Sequence, residues 1–573
     1  MKKHAVKGIS EKEMAELLHL PSIQRKLLIN RGIKSAGEAV KFLKSDYNTH
    51  LHDPFLMKDM DKAVDRIIKA IKNDEVITIW SDYDADGIPG AVIFHDFFKR
   101  INYGKARFYI PHRNDEGFGL NVGAMDEVRD YGTNLLISVD CGIVDVDAVD
   151  KANELGMEVI ITDHHKEQEG RIPKAFAIVN PNQKACGYPF KGLCGAGVVF
   201  KIINAILQKD RFDLKEGMEK WFLDLVGIAT LSDMVPLVDE NRVMAKFGIS
   251  VLRKTQRKGL LSLFRNAKLD ISNINEDDIG FTLSPRINSA SRMGEASHAF
   301  DLLTADNFSD AEKLAIFLEK INNERKGITA SITKHVKKLA KERGVVENGI
   351  KVLVMGNPEW KPTLLGPVAN NLSDEFNIPV FLWGRSSNDI KGSCRAPDGH
   401  NVVALMQGVK QGVFKEFGGH SCSGGFSVHE DQIHFLDEEL NKAMESMGEL
   451  PEVEDDFIDS ELNLDEVNED NWKLIEEVSP FGMDNPKPIF LFKNAEVAGV
   501  KSFGKENNHT EILFKNSLGR KIQAISFFIV PADFEKKIGK KINVGDLINL
   551  TANMEKSFFR NRPELRLRII DIF

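Results

Sequence analysis

The sequence predicts an α/β protein of several domains: an open parallel-sheet domain, a long connecting helix, a smaller α/β domain and a C-terminal β-barrel. Three observations lead there. The chain has 573 residues, too many for one hydrophobic core. From about residue 60 to 235, helical stretches alternate with short Val- and Ile-rich runs, the pattern of strands buried on both faces of a parallel sheet. From about residue 490 onward, five or six short strand-like runs are separated by polar turns, the density of a small barrel such as an OB-fold.

The elements follow in order. Residues 1–55 read as a helical N-terminal segment, and EVITIW (75–80), NLLISV (134–139) and MEVIIT (157–162) as buried strands. Residues 196–260 read as mostly helical. Residues 307–344 have no Pro, one Gly before Gly344, and many Lys, Glu and Ala, which suits one long helix between two lobes. IKVLVMG, IPVFLWG, DIKGSCRA and GGFSV then supply strands of the second α/β domain, over 345–447. Within the last part, 448–573, residues 451–489 hold thirteen Asp/Glu against Lys473 and Lys487, a net of −11 that reads as an acidic linker. Residues 490–573 hold fifteen Lys/Arg against nine Asp/Glu, a net of +6. The overall charge of −9 therefore conceals a basic C-terminal domain, and nucleic acid stays open as a partner.

No apolar run reaches the length of a membrane span, and the N-terminus lacks the apolar core of a signal peptide. The expected location is the cytoplasm, with no membrane partner. Cys141, Cys186, Cys194, Cys394 and Cys422 form no C-x-x-C pair, so they read as ordinary thiols rather than a disulfide framework or zinc knuckle.

The chemistry sits at strand ends. The first strand runs into Asp82, Asp84 and Asp86, carboxylates that repel one another unless cations neutralise them. An EF-hand loop is excluded, because Ile93 stands where a bidentate Glu is needed and the preceding segment is a strand. The second strand ends at Asp140 and the third at Asp163-His164-His165, on the edge where open α/β sheets place their sites. Asp233 follows an apolar helical run. Mixed Asp/His ligation without thiolates suits Mn²⁺ or Mg²⁺. The ligands suffice for two ions about 4 Å apart, the arrangement of a dinuclear metal phosphoesterase.

DYDADG, SVDCGI, DHH and GIATLSDMVPL, in this order, resemble the four metal-site motifs of the DHH phosphoesterases. YIPHRNDEGFGL (109–120), VNPNQ (179–183), LCGAGVVFK (193–201), PRINSASRMG (285–294), FGGHSCSGGFSV (417–428) and PFGMDNPKPIF (480–490) extend the resemblance to the RecJ family within them. That family consists of single-strand-specific 5′→3′ exonucleases.

The resemblance implies a DHH domain over 56–306, a connecting helix over 307–344, a DHH-associated domain over 345–447 and an OB-fold domain after the acidic stretch. It implies that Asp84, Asp86, Asp140, His164 and Asp233 hold two Mn²⁺ or Mg²⁺ ions, with Asp140 bridging. His165 joins the catalytic group, Asp163 and His165 are implied to support the ligands or orient the phosphate, and Asp82 stands beside the site. Arg286, Asn288, Arg292, Ser393, Arg395, Gly418, Gly419 and His420 are implied to bind substrate. Phe503, Phe527, Phe528, Phe558 and Phe559 are candidate base-stacking or core residues.

The implied activity is two-metal hydrolysis of single-stranded DNA to 5′-mononucleotides in recombination and repair, by a monomer working with a helicase and a single-strand-binding protein. Two other readings stand beside it: a DHH phosphoesterase for short oligonucleotides or cyclic dinucleotides, and a non-catalytic DNA-binding scaffold. The chain departs from the family pattern at Trp80, Ser81, Pro89, Gly90 and Lys361.

Overall fold

The computed structural model describes residues 15–345, 349–386, 389–448, 457–557 and 563–573. Five strands, β1 (Ile77–Ser81), β2 (Ala106–Tyr109), β3 (Leu135–Val139), β4 (Glu158–Thr162) and β5 (Ala177–Val179), form a parallel sheet ordered β2-β1-β3-β4-β5. The first two and the last of the three expected strands appear as β1, β3 and β4, and β1 and β3 are buried along their whole length. Strand order reverses between β1 and β3, so loops leave the sheet in opposite directions there and open a crevice at its C-terminal edge. Helices at Gly87–Arg100, Gly195–Lys209, Leu223–Ser232, Asp239–Leu252 and Lys258–Ala267 complete the first lobe and its large apolar core.

One helix, Phe308–Glu342, joins the lobes. Asn307 caps it, its side chain accepting from the Asp310 N–H, and 35 residues give a rod of about 52 Å. Ala311, Ala315, Leu318 and Ile321 pack into the core of the first lobe, whereas Ile332, Val336 and Ala340 pack into the second lobe. That lobe carries a mixed sheet of β6 (Leu353–Gly356), β7 (Val380–Ser386), β8 (Asp389–Arg395), β9 (Phe414–Gly419) and β10 (Ser423–Val428), ordered β6-β7-β8-β10-β9.

The C-terminal strands β11 (Ser460–Glu461), β12 (Phe490–Phe503), β13 (His509–Lys515), β14 (Lys521–Ser526), β15 (Leu547–Ser557) and β16 (Glu564–Ile572) close into a barrel through β12–β15 pairing. The linker reading of 451–489 is corrected from residue 457 onward: the segment is folded onto this barrel. Its carboxylates are engaged locally. Asp459 accepts from Ile489 N–H and pairs with Arg31 at 3.2 Å, and Asn463 and Glu466 form a capping box. The N-terminal helices Ser22–Asn30 and Ala36–Leu43 also dock here, with Ile23 and Leu27 inside the barrel core. The five cysteines are free thiols, four of them buried. Among the described residues, no helix is long and apolar enough to cross a membrane.

Candidate metal centre and phosphate pocket

The loops after β1, β3 and β4 meet in the crevice. Asp140 follows β3 directly, 3% exposed and in a left-handed conformation (φ 61°) that turns the chain sharply off the strand. The helix starting at Gly195 abuts it so closely that a methyl group on Gly195 would lie 2.5 Å from Asp140 Cβ. Only glycine fits. The same helix N-terminus holds Asp86, whose two oxygens accept from the N–H groups of Gly195 (2.6 Å) and Ala196 (2.7 Å). Asp84 accepts from Asp86 and Gly87 N–H, fixing the tight turn after β1.

His164 Nε2 stands at the centre, 3.1 Å from Asp140, 3.6 Å from Asp233 and 3.9 Å from Asp86. Asp163 shapes this loop by accepting from the N–H groups of Ile143, His164 and His165 and from the His165 ring. Burial alone would raise the Asp163 carboxyl, but these donors and the His165 charge hold it low. His165 gains in return: burial opposes its charge, yet Asp163 lifts it to about 9. Burial and the neighbouring His165 push His164 down to about 4, so its imidazole is neutral and its lone pair is open to a cation.

Three overlapping groups could each hold an ion: Asp140 with His164 and His165; Asp86 with His164 and Asp233; and Asp82 with Asp84 and Asp140. Within each group the ligand atoms lie within 4.8 Å of one another. Burial and mutual repulsion drive Asp82, Asp140 and Asp233 well above the usual carboxylate range and Asp86 to about 7. Buried Oδ1 atoms of Asp82 and Asp140 receive no hydrogen bond, even though His164 lies so near the latter. Buried, unsatisfied, mutually repelling oxygens around a neutral imidazole are what hard divalent cations would relieve, so the residues fit the two ions.

All six expected catalytic residues, Asp84, Asp86, Asp140, His164, His165 and Asp233, converge here. Asp82, which the strand-end pattern ranked behind them, belongs with them. The departures near β1 leave the cluster intact. Trp80 is buried, stacked on Tyr109 with ring centroids 4.3 Å apart, and its indole N–H donates to Gly119. Ser81 donates to the Asp82 carbonyl.

Beside the metal cluster lies a group of arginines. Burial and the charges of Arg113, Arg325 and Arg395 depress Arg292 to about 9. Its Nη1 donates to the Thr363 carbonyl, a neutral partner. Arg395 donates to the Cys394 carbonyl, Arg325 to Asn322, and Arg113 lies over the Tyr83 ring at 4.7 Å. Cations from both lobes and from the long helix thus face one another with carbonyls, an amide and an aromatic ring as partners. Such a cluster calls for an anion.

The substrate residues expected from sequence divide. Arg292, Arg395 and Ser393 belong to this pocket, Ser393 sharing β8 with Arg395. His420 follows the Gly418-Gly419 end of β9 in a tight turn, its N–H donating to Ser423. Partial burial and the charges of His165 and Lys166 hold its imidazole low, so this turn reaches the DHH loop. Asn288 Oδ1 accepts from the Ala85 N–H at 2.8 Å and steadies the metal loop. Arg286 has an acidic partner that the others lack: its Nε pairs with Glu319 at 2.6 Å and its Nη1 donates to Thr282, tying the long helix to the lobe.

Arg113 and Arg325 were missed. Arg113 lay inside a recognised motif, whereas Arg325 had no signal among the charges of a long helix. Of the proposed stacking residues, Phe528 is 80% exposed and Phe527 lies under Arg568 at 4.0 Å. Phe503 packs edge-on to Phe527. Phe558 and Phe559 lie outside the described residues.

Comparison with known proteins agrees with this geometry. The DHH family N-terminal domain matches residues 76–230, the DHHA1 domain 349–446 and the RecJ OB domain 458–571. The single-stranded-DNA-specific exonuclease RecJ of Bacillus subtilis is 33% identical over 98% of this chain and 69% of its own length. Its Haemophilus influenzae counterpart is 29% identical over 87% of this chain and 88% of its own. The crystal structure of Thermus thermophilus RecJ with Mn²⁺ shares the fold, with a TM-score of 0.80 at 21% identity over 98% of this chain and 77% of that one. A further crystal structure, of exonuclease RecJ bound to manganese, is 27% identical with a TM-score of 0.58, covering 68% of this chain and 95% of that one. By its three domains, their order and its likeness to the Bacillus subtilis protein, the chain belongs to the RecJ family.

Proposed function

We infer that this protein is a metal-dependent exonuclease specific for single-stranded DNA, acting 5′→3′ in recombination and repair. The observation that carries this reading is the adjacency of a carboxylate–imidazole centre and an arginine pocket drawn from two lobes. Asp82, Asp84, Asp86, Asp140, His164 and Asp233 would hold two Mn²⁺ or Mg²⁺ ions. Such ions supply an activated water and neutralise charge on the phosphoryl oxygens.

The chain's own groups do the rest. Asp163 fixes the His165 ring through Nδ1 and so sets its orientation beside the site, where it can hydrogen-bond a phosphate oxygen. Arg113, Arg292, Arg325 and Arg395 would grip the terminal 5′-phosphate, setting the distance from that end to the cut and releasing 5′-mononucleotides. Because the grip closes from both lobes, a strand still paired to its complement could not seat its end. Specificity for single strands follows from that steric limit.

On this reading the protein works in the cytoplasm as a monomer, on strands opened by a helicase and covered by a single-strand-binding protein. We assign residues 56–306 to the DHH domain, 307–344 to the connecting helix, 345–447 to the DHH-associated domain and 448–573 to the OB-fold part. Chromatography of early products from strands labelled at the 5′ or 3′ end tests the polarity. Labelled mononucleotide should appear at once from the 5′ label only; early release from the 3′ label would refute it.

A further inference from the structure

Asp233 is the metal-site carboxylate with the least direct support. Asp84 and Asp86 each accept from two N–H groups, whereas among the described residues no N–H group donates to the Asp233 carboxylate. Its side chain is 27% exposed, against 1% for Asp86. Asp82 and Asp140 are fixed by the sheet itself, their N–H groups donating to the carbonyls of Val139 (3.0 Å) and Thr162 (2.9 Å). Asp233 depends instead on the loop that follows it. That loop passes through left-handed conformations at Met234 (φ 56°) and Asp239 (φ 45°), which residues other than glycine seldom adopt unless their surroundings hold them there.

Asn241 supplies that hold. It is fully buried in the first turn of the helix Asp239–Leu252, and its side-chain N–H groups donate to the carbonyls of Pro236, at 3.0 Å, and Gly192. Pro236 belongs to the Asp233 loop. Gly192 opens the segment that touches the other ligands: the Leu193 carbonyl lies against the His164 ring, and the N–H groups of Gly195 and Ala196 hold Asp86. One amide thus spans the two chain segments that bring Asp86, His164 and Asp233 together. Its own Oδ1 is buried without a donor, a cost that an apolar side chain at 241 would avoid.

The neighbouring residue repeats the tie. Glu240, fully buried, pairs with Lys201 of the helix Gly195–Lys209 and accepts from the Tyr188 hydroxyl (2.5 Å) and the His52 N–H (2.7 Å). Lys201 also donates to the His52 carbonyl at 2.8 Å. A buried ion pair is a weak source of stability compared with apolar side chains of the same size. Its directional contacts do fix how the helix after Asp233 sits against the helix that holds Asp86.

We propose that Asn241 is a positioning residue for one ion of the pair: it sets Asp233 against Asp86 and His164, while the group of Asp82, Asp84 and Asp140 does not depend on it. The proposal rests on the two-metal reading above. It is tested by titrating Mn²⁺ into full-length protein freed of metal with chelator, with free Mn²⁺ followed by electron paramagnetic resonance. Two bound ions are expected for the unmodified protein. Asn241→Ala leaves two carbonyls without a donor, and should keep one affinity while weakening the other about ten-fold. Asn241→Ser, whose hydroxyl can donate to only one of those carbonyls, should weaken it less, and serves if Asn241→Ala does not fold. In an Asp233→Ala background, where that ion has already lost a ligand, adding Asn241→Ala should change the remaining tight affinity no further. Equal weakening of both ions, no change in either, or a further loss in the Asp233→Ala background would overturn the proposal. Binding of fewer than two ions by the unmodified protein would instead remove the two-metal reading beneath it.

Discussion

The backbone N–H of Leu237 donates to the carbonyl of Met483 at 2.9 Å, joining the loop that carries Asp233 to a turn of the C-terminal part. The contact is reinforced around it. Phe481 N–H donates to Glu276, and Asn485, fully buried, donates to Val478 and Pro480 while accepting from Arg31. The C-terminal part is therefore tied by hydrogen bonds to the loop that carries Asp233. Asn485→Ala leaves two carbonyls and an arginine short of a partner, and is expected to lower Mn²⁺ affinity about ten-fold along with kcat. Titration of Mn²⁺ binding checks this; a variant changed only in KM for long strands would show that the turn serves the substrate alone.

Asp140→Asn should abolish cleavage yet stabilise the metal-free protein. Asp140 is repelled by Asp86, Asp84, Asp82 and Asp233 in a buried setting, so removing its charge relieves strain that the ions would otherwise offset. In chelator the melting temperature is expected to rise by about 2 °C, and the further rise on adding Mn²⁺ to shrink. A variant less stable than the parent in chelator would contradict the electrostatic account.

Arg292→Ala should weaken binding of 5′-phosphorylated single strands roughly ten- to one-hundred-fold and have much less effect on strands ending in a 5′-hydroxyl. Competition between the two kinds of strand measures it. An equal loss for both would mean that Arg292 holds an internal phosphate or only supports Thr363.

A buried ion-pair network far from the metals gives a pH prediction. Arg257 pairs with Asp96 at 2.5 Å and Asp224 at 2.8 Å. Burial would raise the Asp96 carboxyl, but His95 and Arg257 outweigh it and hold it below its ordinary value. A carboxylate depressed in the folded state stabilises the fold above the unfolded pKa of about 3.9, and that contribution is lost as pH falls through the lower folded value. The urea midpoint should therefore drop between about pH 5 and 3, and Asp96→Asn should flatten that drop. An unaltered pH dependence in the variant would locate the acid sensitivity elsewhere.

What could be read from sequence was local. β1, β3 and β4 are buried on both faces, so their Val/Ile runs stood out, and Asp84, Asp86, Asp140 and His164 were marked by following such runs directly. β2 was missed because ARFY is a partly exposed edge strand, and β9 because FKEFGG is mostly exposed. The pairing of Arg286 with Glu319 has no local signal, because Glu319 lies on another helix, 33 residues away. The arginine pocket draws Arg113, Arg292, Arg325 and Arg395 from four separate segments, a juxtaposition that only the folded chain creates. The acidic stretch resembled a linker because charge count does not reveal that Asp459 and Glu466 are already engaged.

We infer that the Asp140 cluster cuts single-stranded DNA from a free 5′ end. The most direct test incubates purified protein and Asp140→Ala with Mn²⁺ or Mg²⁺ on an end-labelled single strand and on the same strand in a blunt duplex. Rapid degradation of the single strand is expected, with little of the duplex and none of either by the variant or in chelator. Equal cutting of strand and duplex, or activity that survives Asp140→Ala, would contradict it.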